Sequence, residues 1–353
     1  MGAITEKAKS PFSLGDEAMA EIIEQVWGRD VLDNPRLGFN HLIQTSCFLP
    51  SKDPGEIPMW QRKDGGLTMT MTRGPAMNPV TREAELQGYP HGLWPRRFHS
   101  IINAEILRSR SRTIYCGRGF CEFFRDKMSV RMTGGANGNI RHMKNQFSRL
   151  SAANLVFFMH NDKRIVMLSP ARMIEATDMW LDGDEEHWPS FLLASQAYCD
   201  DLFQNAVPID LQAASRIKGS MEYDFYTWVT RRVYSLVVSG QRSVAITWGS
   251  LKYAMGYSYS RLDHFQSEIR AIIRHLKAEV YRDLNIRESQ TGLVLYAGPL
   301  AVPERKLWAG YTEPKQIPMF ADDRRFDDPF PQEEERRVVV KTITITKRQV
   351  VQK

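Results

Sequence analysis

What most restricts the fold of this chain is the order of its patterned segments, because one order is written twice. Leu93 to Arg108 reads as a helix, TIYCG as a short strand and RGFCEFFRDKM as a short helix; the turn TGGANG, a basic helix from Asn139 and the hairpin LVFFMHNDKRIVML follow. From Met221 the order returns. MEYDFYTWVTRRVYSLV is a helix with Phe225, Trp228, Val229 and Leu236 on one side, SVAIT a strand, and WGSLKYAM a short helix capped by Thr247 and stopped by Gly256. The turn YSYS, the long helix RLDHFQSEIRAIIRHLKAEVY and the hairpin NIRESQTGLVLYAG, bent near Gly292, complete it. Helix, strand, helix, turn, basic helix and hairpin is the winged-helix order. The expected fold class is therefore α+β: two tandem winged-helix domains with an N-terminal extension and a flexible C-terminal tail.

Both long helices are amphipathic in the same sense. At about 100° per residue, Ile140, Met143, Phe147 and Leu150 share an arc, while Arg141, Lys144, Asn145, Ser148 and Arg149 share another. In the second helix Leu262, Phe265, Ile269, Ile272, Ile273, Leu276 and Val280 form the apolar arc, opposite Gln266, Ser267, Arg270, Arg274 and Lys277. A solvated face explains one such helix. Two in the same structural position point to a shared polyanionic partner.

Charge distribution agrees with this. The net charge of +6 over 353 residues is modest, but His91 to Leu150 carries twelve Lys/Arg against three acids, and Arg216 to Arg287 twelve against six. Between them, Ala171 to Asp210 holds one arginine and nine acids. The expected segments are 1–84, an N-terminal extension suited to self-association; 85–170, the first winged-helix domain; 171–215, an acidic connector; 216–303, the second domain; and 304–353, a flexible tail.

Other chemistries lack their residues. TGGANG is followed by no Gly-Lys-Ser/Thr, and its glycines miss the dinucleotide spacing, so it reads as a turn in which glycine reaches φ > 0, with Asn139 as helix N-cap. Cysteines 47, 116, 121 and 199 lack zinc-site spacing and read as buried thiols in a reducing compartment. None of the eight histidines sits two residues from another, as the metal pair of a nicking enzyme requires. DMWLDGDEEHW lacks the calcium-loop pattern, and there is no G-x-S-x-G elbow. The chain is expected to be no enzyme and to use no metal or cofactor. It has no signal-like or membrane-length apolar run, which implies a cytoplasmic protein without a membrane partner.

The runs YPHGLWPRRFHSIINAEILRSRSRTIYCG, TGGANG with its basic helix, DFYTWVTRRVYSL, and ITWGSLKYAMGYSYSRLDHFQSEIRAIIRHLKAEVY ending in GLVLYAGPLAVP resemble the RepA-type plasmid replication initiators over roughly residues 85 to 303. The resemblance implies a protein that binds repeated sites, or iterons, in double-stranded DNA at a plasmid origin, helps melt it, and brings in the host initiator and replicative helicase. Asn139 stands where the family often has Ser or Thr. A winged-helix transcriptional repressor without an initiator role is the alternative.

The DNA-binding candidates are Arg141, Lys144, Asn145, Ser148 and Arg149 in one helix, Gln266, Ser267, Arg270, Arg274 and Lys277 in the other, and Lys163 and Arg164 at the first hairpin tip. Asn145 and Gln266 suit adenine, Arg270 suits guanine, and the lysines suit phosphate. The two helices should occupy successive major grooves about 10 base pairs apart, giving a repeat of about 20 base pairs. The apolar CFLP and LTMTMT segments suggest a homodimer interface. In the tail, Gln316, Met319 and Phe320 of QIPMF resemble a sliding-clamp docking peptide, and RRVVVKTITITKRQVVQK alternates like a strand.

Overall fold

The structure, a computed structural model, describes residues 37–65, 67–78, 81–116, 123–124, 127, 130–135, 138–161, 164–168, 173–177 and 191–302. Lys163, the acidic run from 178, and the tail with its clamp-like peptide and terminal strand lie outside these.

Among the described residues a first group of strands precedes the first long helix: β1 (Leu37–His41), β2 (Trp60–Asp64), β3 (Leu67–Thr72), β4 (Pro75–Met77) and β5 (Ala84–Leu86). Helix α1 (Leu93–Ser109) follows, with Pro95 in its first turn, where a missing N–H is no loss. Next come β6 (Thr113–Tyr115), α2 (Asn139–Ala152), β7 (Asn154–Asn161), β8 (Arg164–Leu168), β9 (Ile174–Thr177), β10 (Phe191–Ala194), α3 (Gln196–Asn205), β11 (Ala206–Asp210) and the single turn α4 (Leu211–Ala214). The last group is α5 (Ser220–Val238), β12 (Ser243–Thr247), α6 (Trp248–Met255), α7 (Leu262–His275), β13 (Ile286–Glu288) and β14 (Gly292–Tyr296). The mixture of helices with small antiparallel sheets matches the coarse expectation.

The second set of elements assembles locally. β12 pairs with β14, and β14 with β13, so the strand after α5 closes the hairpin after α7 into one sheet. Gly292 allows this: a Cβ there would lie 1.9 Å from the carbonyl oxygen of Ile246. The Thr247 hydroxyl accepts the Ser250 N–H at 3.1 Å, and Gly256 ends α6 at φ 62°, both as expected.

The first set assembles differently. Its hairpin β7–β8 is extended by the preceding hairpin to the order β2-β3-β7-β8, with Met69 opposite Phe157 and Met71 opposite Leu155. The strand β6 pairs instead with β10, which pairs with β9, and β1 pairs with β11. Residues from the expected extension and connector therefore pair with strands of the first unit, β2–β3 with β7 and β9–β10 with β6. Alternating apolar strands such as LTMTMT announce a buried face but not the strand they join.

One hydrophobic core spans both sets, from Phe98, Phe124 and Phe147 to Phe225, Trp248 and Phe265. A smaller cluster of Cys47, Leu49, Leu67, Met69, Met71, Tyr89, Leu155 and Phe157 includes residues of β3 and β7. Helix α1 runs through the middle, and its polar residues Arg96, Arg97, His99, Ser100 and Asn103 are buried as well. Arg96 donates to both Asp224 oxygens at 2.6 and 2.7 Å and to the carbonyls of Leu49, Pro50 and Gly92. Burial opposes its charge, but the adjacent carboxylate more than offsets this, raising the guanidinium pKa further. Tyr257, from the α6–α7 turn, donates to the same carboxylate at 2.8 Å. Arg62 of β2 reaches the Ala254 carbonyl in α6, and Arg231 of α5 donates to Ser46 at 2.9 Å. His99 is 3% exposed, with no hydrogen-bond partner for Nε2 among the described residues; burial, then the Arg96 charge, push its pKa down to about 3.

Candidate nucleic-acid interface

Helix α7 presents two unlike faces. Phe265, Ile269, Ile272 and Leu276 are buried at helical spacing, whereas Ser267, Arg270, Arg274 and Lys277 are exposed, and Gln266 is half-buried. Leu262, expected on the apolar face, is 42% exposed because the first turn overhangs the core. Past His275 the helix widens into a π-turn, Leu276–Val280, where the Lys277 ammonium donates to the Ile286 carbonyl at 3.3 Å.

Between α7 and β13 lies an open cleft of about 480 Å³. Ser267, Arg270 and Arg274 line it from the helix, Arg287 and Glu288 from the strand, with apolar contributions from Ile273, Ile286 and Leu293. Three guanidinium groups beside the Ser267 hydroxyl suit the oxygens of a phosphodiester. Arg270 Nη2 lies 2.6 Å from Glu288 Oε1, and Nε contacts both oxygens at 3.1 and 3.0 Å. Its guanidinium carbon also sits 5.5 Å from the ring centre of Trp248, the buried first residue of α6. The hydrogen bond to Glu288 raises the Arg270 pKa, and the reciprocal bond lowers that of Glu288, so both remain ionised.

Helix α2 buries Met143, Phe147 and Leu150 as expected, but only part of its polar face is open. Arg141 and Asn145 are exposed and Lys144 is half-buried. The C-terminal part is docked on the loops before α1. Ser148 donates to Gln87 at 3.2 Å, and Arg149 meets Asp53 at 2.6 Å and the Tyr89 carbonyl at 3.2 Å. A Cβ at Gly88 would stand 2.7 Å from the Arg149 guanidinium carbon, so a larger residue there would have to push that side chain aside. Burial nudges the Asp53 pKa upward, but the Arg149 contact holds it below the ordinary value. Gln146, unremarked in the sequence, is buried and accepts the His91 N–H at 2.8 Å. Ser148 and Arg149 thus fasten the helix to its neighbours, unlike the open groove-facing pair expected from the helical wheel.

The turn before α2 also differs by one residue. Gly138 holds the cap position without a side-chain bond, and Asn139 begins the helix. The Asn139 side chain instead accepts the Thr133 N–H at 2.9 Å and donates to the Arg131 carbonyl at 3.0 Å, while the Thr133 hydroxyl accepts the Asn139 N–H at 3.1 Å. Gly138 is required by close approach, because a Cβ would lie 2.1 Å from the Thr133 carbonyl oxygen. At the first hairpin, Arg164 opens β8 opposite Asn161.

The residues that sequence reading missed are Trp248, Arg287 and Glu288. A strand-borne Arg-Glu pair just before the hairpin bend was the available signal. Cys47, Cys116 and Cys199 are buried, and burial pushes the Cys47 thiol up to about 12. Among the described residues, no helix is long and apolar enough to cross a membrane.

Comparison with known proteins gives two findings. Residues 96–250 match the family model described as plasmid encoded RepA protein, bearing out over that stretch the resemblance to RepA-type initiators. The match runs from α1 into α6 and stops short of α7, so the open basic face of α7 is judged on its geometry. No curated protein matches the chain. One solved structure, described as "Crystal structure of SeMet derivatives of domain2 and domain 3 of RctB", covers 73% of this chain and 98% of its own, at 8% identity and a TM-score of 0.42.

Proposed function

We propose that this protein is a non-enzymatic, sequence-specific initiator of plasmid replication that binds repeated sites in double-stranded origin DNA. The open polar face of α7, set beside the three-stranded sheet of its own hairpin, is the observation that carries the reading. It is the winged-helix presentation, in which the second helix of the motif meets base edges while the wing and helix ends hold phosphates. The RepA match supports the plasmid-replication setting. Helix α7 acts in one major groove through Gln266, Ser267, Arg270 and Arg274, with Lys277 on phosphate. The exposed part of α2, Arg141, Lys144 and Asn145, acts in the next.

In this reading the repeat is about 20 base pairs long. The bound protein helps open the origin and recruits the host initiator and helicase, self-associates through residues 1–84, and meets the sliding clamp through Gln316, Met319 and Phe320.

Two measurements on the full chain test it. Sites are first selected from a random duplex pool and footprinted; a protected length near one helical turn, unchanged when Arg141, Lys144 and Asn145 are all replaced by alanine, would remove α2 from the interface. The gene with its upstream DNA is then placed on a replicon lacking an origin. Persistence supports the initiator, and selective binding without persistence leaves the repressor.

A further inference from the structure

An acid in a phosphate-binding cleft repels the ligand that the cleft serves, yet Glu288 stands in this one among Arg270, Arg274 and Arg287. Its geometry suggests what it does. Both carboxylate oxygens engage Arg270 along the edge formed by Nε and Nη2, at 2.6 to 3.1 Å. A guanidinium has five N–H donors, one on Nε and two on each Nη. Glu288 takes the side edge and leaves the outer fork, one hydrogen each from Nη1 and Nη2. That fork is the pair that meets O6 and N7 of guanine in the major groove. Trp248 lies against the same group, 5.5 Å from ring centre to guanidinium carbon, and restricts its plane. The two partners come from different elements, α6 and β13, so the arginine is set by the fold as well as by its own helix.

Resting on the DNA-binding reading above, we propose that Glu288 is a positioning residue that orients Arg270 for a guanine, so that selectivity belongs to the pair. The ion pair is nearly half-exposed on both sides, and such pairs contribute little to stability. Its consequence lies in ordering a long side chain before DNA arrives, which reduces the entropy lost on binding. The carboxylate lowers attraction to any DNA while raising the preference for one base.

The test uses the full chain and the duplex it selects from a random pool, with variants of that duplex at each guanine. Arg270→Ala loses preference at one guanine by roughly tenfold or more. Glu288→Ala should lose most of the preference at that same position while binding unrelated duplex about as well or better. In the Arg270→Ala background the Glu288 substitution should change selectivity no further, and Glu288→Gln, which keeps an acceptor, should restore part of it. Equal gains on all duplexes would make Glu288 a repelling charge only, and no change would make it a solvated ion pair. Loss of preference at a different base, independent of Arg270, would mean direct contact with that base. Each of these three outcomes overturns the proposal. If Arg270→Ala itself has no effect on selectivity, the DNA-binding role of α7 fails, and the positioning role with it.

Discussion

Helices α2 and α7 carry nearly the same sequence pattern, yet they sit in different surroundings. Each buries an apolar stripe and bears basic residues opposite. Around α7 the neighbouring hairpin is closed by β12 from its own set, and the polar stripe stays exposed from Ser267 to Lys277. Around α2 the hairpin is completed by β3, while the loops at 53 and 87–91 take hold of Ser148 and Arg149. A helical wheel describes what a face contains. Whether that face is available is decided by chain far away in sequence.

The comparison breaks most severely if the floor common to both helices is removed. Asp224→Asn leaves the Arg96 charge buried without its partner, and stability should fall by about 3–5 kcal/mol. Because one core serves both units, urea unfolding of the variant should remain a single transition, with α2 and α7 losing DNA binding together. Two separate transitions would show that the units stand independently.

The same floor responds to acid through His99. Its pKa in the folded chain, about 3, lies below the ordinary value near 6.5, so only the unfolded chain takes up a proton between them. The stability due to neutral His99 is complete above pH 6.5 and is lost progressively as pH falls toward 3, at up to about 1.4 kcal/mol per pH unit. His99→Gln should flatten that limb of the unfolding curve relative to the parent, with no preferential effect on either helix.

The next effects separate the two helices. Arg270→Ala should cost about 1–3 kcal/mol on the selected duplex and relax one base, with little change in melting temperature. Arg149→Ala should do the opposite. It removes a partly exposed ion pair, lowering stability by about 0.2–1 kcal/mol, and leaves base preference intact once binding is corrected for the folded fraction. A change of preference at one base for Arg149→Ala would return that residue to the interface. Smallest in energy, Lys277→Ala should weaken all duplexes alike and flatten the salt dependence by about one unit, measured as log K against log salt.

Much of the fold was legible because local chemistry dictated it. SVAIT and WGSLKYAM form β12 and α6 within their expected bounds, and Thr247, Gly256 and the bend before Gly292 play their expected parts. These features depend on residues within a few positions of one another. The partners of β3, β6 and β1 were not legible, since strand pairing depends on which apolar faces meet across more than seventy residues. Among the candidate residues, the exposure of Ser267, Arg270 and Arg274 followed from periodicity. The docking of Arg149 did not, because its partners Asp53 and Tyr89 belong to two loops with no pattern of their own. Glu288 escaped notice because an acid in a basic region reads as a break in the pattern, whereas its geometry makes it the ion-pair partner of Arg270.

The buried bond between Arg96 and Asp224 also bears on angle. B-DNA turns by about 35° with each base pair, so the bearing of one groove contact relative to the next depends on how many pairs separate them. A chain whose two helices were joined by a supple linker would follow any spacing by swivelling. Here α1 and α5 are clamped by an ion pair out of reach of water, so in the proposed two-groove reading one extra base pair between the two contacts would have to be absorbed by twisting the duplex, at a cost set by the stiffness of the intervening steps. In that reading the uncontacted base pairs in the middle of the site would become part of what the protein reads, through their resistance to torsion.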